Sequence, residues 1–81
     1  MNFGAALQAL RERRLVRRAG WNGAGMYLGL QVATERDLDS ANTLPYVWLR
    51  TAQGDRVPWV CSQTDLLAED WENVSWTEPS R

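Results

Sequence analysis

Apolar residues near the start of the chain recur with helical spacing. Phe3, Leu7 and Leu10 fall at i, i+4 and i+7, on one face of a helix. Ala5, Ala6 and Ala9 add helix propensity, and Asn2 is placed to cap the first turn. The pattern predicts a helix from Phe3 to about Arg13. Arg11, Arg13 and Arg14 cluster at its end, where positive charge suits the macrodipole. Leu15 to Ala19 then reads as a short strand. Gly20 to Gly25 holds three glycines in six residues, the mark of a turn or a close-approach loop. Beyond it, Met26, Leu28, Leu30 and Val32 alternate with Tyr27, Gly29 and Gln31, which predicts a strand with one buried face.

Thr34 to Thr43 is polar and acidic and reads as a surface loop. Pro45 to Thr51 is a further strand, with Val47 and Leu49 on one side and Tyr46, Trp48 and Arg50 on the other. Ala52-Gln53-Gly54-Asp55 is a hairpin turn that returns through Arg56 to Val60. Pro58 has no amide donor, so this strand belongs at an edge or breaks there. Ser62-Gln63-Thr64-Asp65 has the S-x-x-D form of a capping box, ahead of a short helix from Gln63 to about Ala68. Asp70 to Trp76 is a last strand. These elements make an α+β fold: a small antiparallel sheet, one N-terminal helix and a short second helix. Residues 1–76 form a single domain, and residues 77–81 are a tail that should fray.

Composition narrows the chemistry. The 81 residues are 44% hydrophobic and 23% charged, the balance of a globular domain. No apolar run approaches the ~20 residues needed to cross a bilayer, and Met1-Asn2-Phe3-Gly4 is not the start of a signal peptide. A single cysteine, Cys61, cannot pair within the chain, which fits a cytoplasmic setting. A domain of this size buries only about 60–65% of its unfolded surface, so self-association into a homo-oligomer is expected. With no histidine, the usual general base and the commonest metal ligand are missing. All nine positive charges are arginine, which excludes lysine Schiff bases and a P-loop. The formal net charge of −1 is wrong for a protein that coats long nucleic acid. Five tryptophans is a high number for so short a chain, and it serves cores, interfaces and stacking pockets equally.

Each candidate site residue has an ordinary structural reading beside the functional one. Trp21 and Asn22, in the glycine-rich loop, can clamp a flat ligand through an indole face and an amide; equally, the loop is a turn whose tryptophan plugs the core. Ser62, Gln63, Thr64 and Asp65 can offer donors to phosphate or ribose oxygens, or can simply cap the second helix. Arg17 and Arg18 belong to a basic run that is either a solvated helix end or an anion funnel. In a strand they point to opposite faces, so at most one faces a given pocket. Tyr27 and Trp71 are further aromatic candidates, with the core as the alternative for Trp71. Asp65, Glu69 and Asp70 are weak as an acid/base or metal set without histidine. Cys61, without an activating base, is no nucleophile.

Several blocks, taken in order, carry a resemblance. They are Met1-Asn2-Phe3-Gly4-Ala5-Ala6-Leu7, Ala19-Gly20-Trp21-Asn22-Gly23, Gly25-Met26-Tyr27-Leu28, Pro45-Tyr46-Val47, Leu49-Arg50-Thr51 and Val57-Pro58-Trp59-Val60. The last is Ser62-Gln63-Thr64-Asp65-Leu66-Leu67-Ala68-Glu69-Asp70-Trp71. Over roughly Met1 to Val74 the chain resembles the phage Thoeris anti-defence family of the second type, once known only as a domain of unknown function. It departs from many members between Gln31 and Leu44, where they carry a longer insert that bears on the pocket rim. The resemblance implies a non-enzymatic sponge without metal or cofactor, at work in the host bacterial cytoplasm. It would hold glycocyclic ADP-ribose isomers made by Thoeris TIR proteins, and in some members cyclic oligonucleotides of the CBASS type. It also implies a homotetramer with pockets between protomers, and ligand contacts from Trp21, Asn22, Tyr27, Ser62, Gln63, Thr64, Asp65, Trp71 and one of Arg17 and Arg18. The competing readings are a phosphodiesterase-like enzyme using Asp65 and Glu69, and a phage interaction or structural module.

Overall fold

The computed structural model describes residues 1–21, 23, 25–32 and 44–74. The acidic loop expected over 34–43, the side chains of Asn22 and Trp76, and the tail from 77 onward lie outside the described residues. The elements are α1 (Phe3–Arg11), β1 (Val16–Arg18), β2 (Tyr27–Gln31), β3 (Tyr46–Arg50), β4 (Arg56–Pro58), α2 (Gln63–Leu67) and β5 (Trp71–Asn73). The strands form one antiparallel sheet in the order β4-β3-β2-β1-β5. The expected α+β class therefore holds, with a five-stranded sheet and two helices.

Helix α1 starts as the sequence predicts. Asn2 Oδ1 accepts from the Ala5 amide at 2.9 Å, which satisfies one of the first-turn donors. It ends earlier than expected, at Arg11 rather than Arg13. Arg13 takes a left-handed φ of 68°, its amide bonds to Leu10 O, and the Arg14 amide reaches back to Ala9 O. This double closure stops a helix, and glycine normally fills the position Arg13 holds. Without that glycine, the sequence carries no stop signal.

The core lies between α1 and one face of the sheet. Ala6, Ala9 and Leu10 from the helix meet Val16, Leu28 and Trp71 from three strands, all nearly or fully buried. Phe3, Trp21, Leu30, Val47, Leu49, Trp59 and Ala68 pack around this cluster. Alternation therefore places Leu28, Leu30, Val47 and Leu49 inward, as expected.

The opposite face is not simply solvated. Trp48 is buried there over Gly29, its cross-strand partner. A Cβ on Gly29 would collide with the indole, so only glycine lets the ring lie against the strand. Tyr27 meets the indole edge-on at 6.0 Å, and the Arg56 guanidinium sits 4.0 Å above the ring.

Strand β4 is an edge, as Pro58 requires. It ends at Pro58, although the Trp59 amide still bonds to Val47 O. The first residue is clasped to the last strand. The Met1 ammonium donates to Trp71 O at 2.8 Å, and the Trp71 amide donates to Met1 O at 3.0 Å.

Candidate functional site

The glycine-rich loop leaves β1 and returns to β2, so it hangs off one end of the sheet beside the α2–β5 segment. A cleft of about 270 Å³ opens there, lined by Arg17, Arg18, Ala19, Trp21, Gly23, Gly25, Met26 and Glu72. Gly25 has a φ of 78°, which a side chain would strain, and Arg50 Nη1 donates to its carbonyl at 2.8 Å. Both Arg17 and Arg18 line the cleft, against the expectation that only one would. The cleft lies where β1 ends and the chain turns, so it takes in consecutive residues rather than one face.

Trp21 is half-buried, and it both packs against the core and lines the cleft. Its ring meets Trp71 edge-on at 5.5 Å, against the core, while the same residue walls the cleft. Its indole N–H donates to Asp65 Oδ1 at 3.3 Å. Trp71 is 2% exposed, and its own N–H donates to Asp65 O at 3.0 Å. In the single chain Trp71 backs Trp21 rather than opening to a ligand.

Asp65 is therefore a hub. Its amide is capped by Ser62 Oγ at 3.1 Å. Its carboxylate accepts from Arg18 Nη1 at 2.9 Å as well as from Trp21. The Arg18 guanidinium also gives Nε to Asp70 Oδ1 at 2.8 Å, and the Gly20 amide donates to Asp70 Oδ2 at 2.9 Å. Arg18 thus ties β1 to both α2 and the segment before β5. Its bonds to Asp70 first, and then to Asp65, hold it more firmly protonated than a free arginine. The same bond from Arg18 is the main reason that the Asp70 carboxyl titrates below its ordinary range, with the Gly20 amide helping.

Arg17, also at the cleft, has a separate partner. Its Nε donates to Glu72 Oε2 at 2.8 Å, and both side chains are largely exposed. An exposed pair of this kind contributes about 0–1 kcal/mol, so Arg17 is the cation more readily turned toward an anion.

The other candidates are spread more widely. Ser62, Gln63 and Thr64 are exposed at the start of α2. Ser62 acts as the cap, and a helix of five residues carries little dipole of its own. Tyr27 lies on the outer face with Trp48, and Arg50 sits 5.7 Å over its ring. Asn22 lies outside the described residues. Cys61 is half-buried, and burial first, then the Asp65 charge, pushes its thiol pKa up. Among the described residues, no three acidic or cysteine side chains gather closely enough to hold a metal ion. Likewise, no described helix is long and apolar enough to cross a membrane.

Sequence reasoning missed Asp70 as a partner of Arg18, and Met26 and Glu72 as walls of the cleft. The opposite charges of Arg17-Arg18 and Asp70-Trp71-Glu72 were a usable signal, because antiparallel pairing of β1 with β5 sets Arg17 across from Glu72 and Arg18 across from Trp71.

Comparison with known proteins identifies the family. The model of the Thoeris anti-defense 2-like domain matches residues 1–74. A protein of Bacillus phage SP01 called Thoeris anti-defense 2 is 38% identical over 85 residues, covering 93% of this chain and 96% of the relative. The matched span includes the glycine-rich loop, the Asp65 hub and β5. The chain therefore belongs to the Thoeris anti-defense 2-like domain family, and its role is an anti-defense one.

Proposed function

We propose that the chain blocks immune signalling as a non-enzymatic sponge that binds a glycocyclic ADP-ribose isomer and holds it whole. The observation that carries this reading is the cleft beside Trp21, where an indole wall, bare glycine backbone and an exposed arginine converge. In this reading Trp21 stacks on the adenine or walls the ribose, Asn22 bonds to ribose or phosphate, and Arg17 meets a phosphate. Gln63 and Thr64 add neutral donors from the neighbouring helix start.

The size of the cleft supports assembly. At about 270 Å³ it falls below the ~300–1,000 Å³ of pockets that enclose a drug-sized ligand. A ligand the size of a cyclic ADP-ribose needs further walls, which neighbouring protomers of a homotetramer supply. Leu44, Val60 and Leu67 are each at least 74% exposed, which gives the chain apolar surface to bury in such an assembly.

One stacked ring and one arginine fall short of what sequestration needs, so contacts from neighbouring protomers must supply the remainder. Nanomolar binding needs about −12 kcal/mol. One stacked base gives about 1–3 kcal/mol, and each charge-assisted bond to phosphate gives about 1.5–3 kcal/mol. Burial between protomers slows release, and residence time is what a sponge requires.

Calorimetry with purified glycocyclic ADP-ribose isomers tests the reading, with cyclic oligonucleotides as a parallel arm. The expected result is tight binding that Trp21→Ala abolishes, followed by recovery of unaltered ligand after heat denaturation. Linearised product in the supernatant would mean an enzyme instead. Absence of binding to every signal would reject the sponge.

A further inference from the structure

Arg18 has the makings of a ligand-binding cation, since it lines the cleft and carries a permanent charge. Its hydrogen bonds say otherwise. Nη1 is taken by Asp65, and Nε with Nη2 by Asp70. The side chain is only 19% exposed. Two carboxylates surround one guanidinium, so the group offers no surplus positive charge to a phosphate. Asp65 Oδ1, the atom that accepts from Arg18, is also the atom that accepts from the Trp21 indole.

We propose that Arg18 is a positioning residue: through the shared Asp65 oxygen it fixes the pose of the Trp21 indole at the cleft wall. An indole has one donor, and here that donor is directed at a carboxylate oxygen that also accepts Nη1 of Arg18, whose Nε and Nη2 are held in turn by Asp70. The Trp71 ring fixes the other side of the same indole at its edge. The residue thus held is the one on which the ligand depends. Asp70 is the second anchor, and through the Gly20 amide it also fixes the start of the loop. The consequence for binding rests on the sponge reading; the consequence for the indole does not.

The test uses the full chain with 15N-labelled tryptophan side chains. The Trp21 indole signal is identified by its loss in Trp21→Phe. In Arg18→Met, and equally in Arg18→Lys, which keeps the charge but loses the fork, that signal is expected to move. Its hydrogen exchange should speed up by about tenfold or more, the factor one charge-assisted bond carries. The Trp48 indole signal, on the opposite face of the sheet, should stay in place, which also shows that the variants are folded. An unmoved Trp21 signal in a folded variant would overturn the proposal.

The second arm is a double-mutant cycle read with glycocyclic ADP-ribose. The losses of affinity in Arg18→Met and Trp21→Phe are expected not to add, because the first acts through the second. The salt dependence of binding should be unchanged in Arg18→Met. Additive losses, or a flatter salt dependence, would identify Arg18 as a direct phosphate contact and overturn the proposal. If the wild-type chain binds no such ligand, the sponge reading fails, and the indole measurement alone decides the role of Arg18.

Discussion

Two tryptophans, one on each face of the sheet, are held by different physics. Trp71 sits in the core beneath α1, ringed by Phe3, Trp21 and Trp59 at 5.4–6.0 Å, with its N–H bonded to Asp65 O. Trp48 lies on the outer face over Gly29, covered by Tyr27 and by a stacked arginine. The arginines differ in the same way. Arg18 is fixed by directed bonds to two carboxylates, whereas Arg56 rests on a ring and has no ion pair to a described residue. Directed bonds set an angle and a position narrowly; stacking sets a distance and a looser preference of angle. The corner that borders the cleft is the one built with directed bonds.

Substitutions can break this contrast in order of size. Trp71→Ala should cost about 3–5 kcal/mol, enough to unfold much of a small domain whose total stability is of order 5 kcal/mol. Circular dichroism and urea titration would record it. Gly29→Ala should cost about 1–3 kcal/mol by overpacking the outer face. It should lower the urea midpoint while leaving the Trp21 indole signal in place, which separates the two regions. Ser62→Ala removes the cap of α2 and should cost about 1 kcal/mol, with some loosening of the Asp65 hub visible in the indole N–H exchange of Trp71. Arg56→Met should cost only about 0.5–1 kcal/mol, the worth of an exposed cation–π contact. A larger loss would mean that the outer face is more tightly ordered than its packing implies.

The finest probe of the directed corner is the proton. Asp70 keeps its charge to lower pH in the native state than in the unfolded chain, because Arg18 and the Gly20 amide favour the carboxylate. Its contribution is therefore complete above the ordinary aspartate range and is lost as the pH falls through the lower native value. Asp70→Asn should flatten the acid limb of the stability profile below about pH 5, as measured by the urea midpoint at successive pH values.

Much of the architecture was legible because local patterns agreed with the global fold. Phe3, Leu7 and Leu10 announced α1, Pro58 announced an edge strand, and Ser62 announced the start of α2. What could not be read was set by contacts distant along the chain. The end of α1 depends on Arg13 adopting a conformation that its side chain disfavours. The burial of Trp48 depends on Gly29 lying opposite it, which requires the register of β2 and β3. At the site, Trp21 was legible as a residue of interest, since glycines flank it. Its fixed pose was not, because Arg18, Asp65 and Asp70 lie 47 and 52 positions apart in sequence. Capping explained Asp65 so well that its carboxylate partners were hidden behind the local motif.

That separation has a consequence for how the protein comes into being. The strand order puts β5 beside β1, so the corner holding Trp21 joins the first of the described strands to the last of them. As the chain emerges from the ribosome, Arg18 and Trp21 appear early and wait without partners. Their anchors arrive only when synthesis has passed Trp71. A chain truncated before Asp65 therefore lacks both carboxylates that hold Arg18, and the corner can form only when β5 closes onto β1.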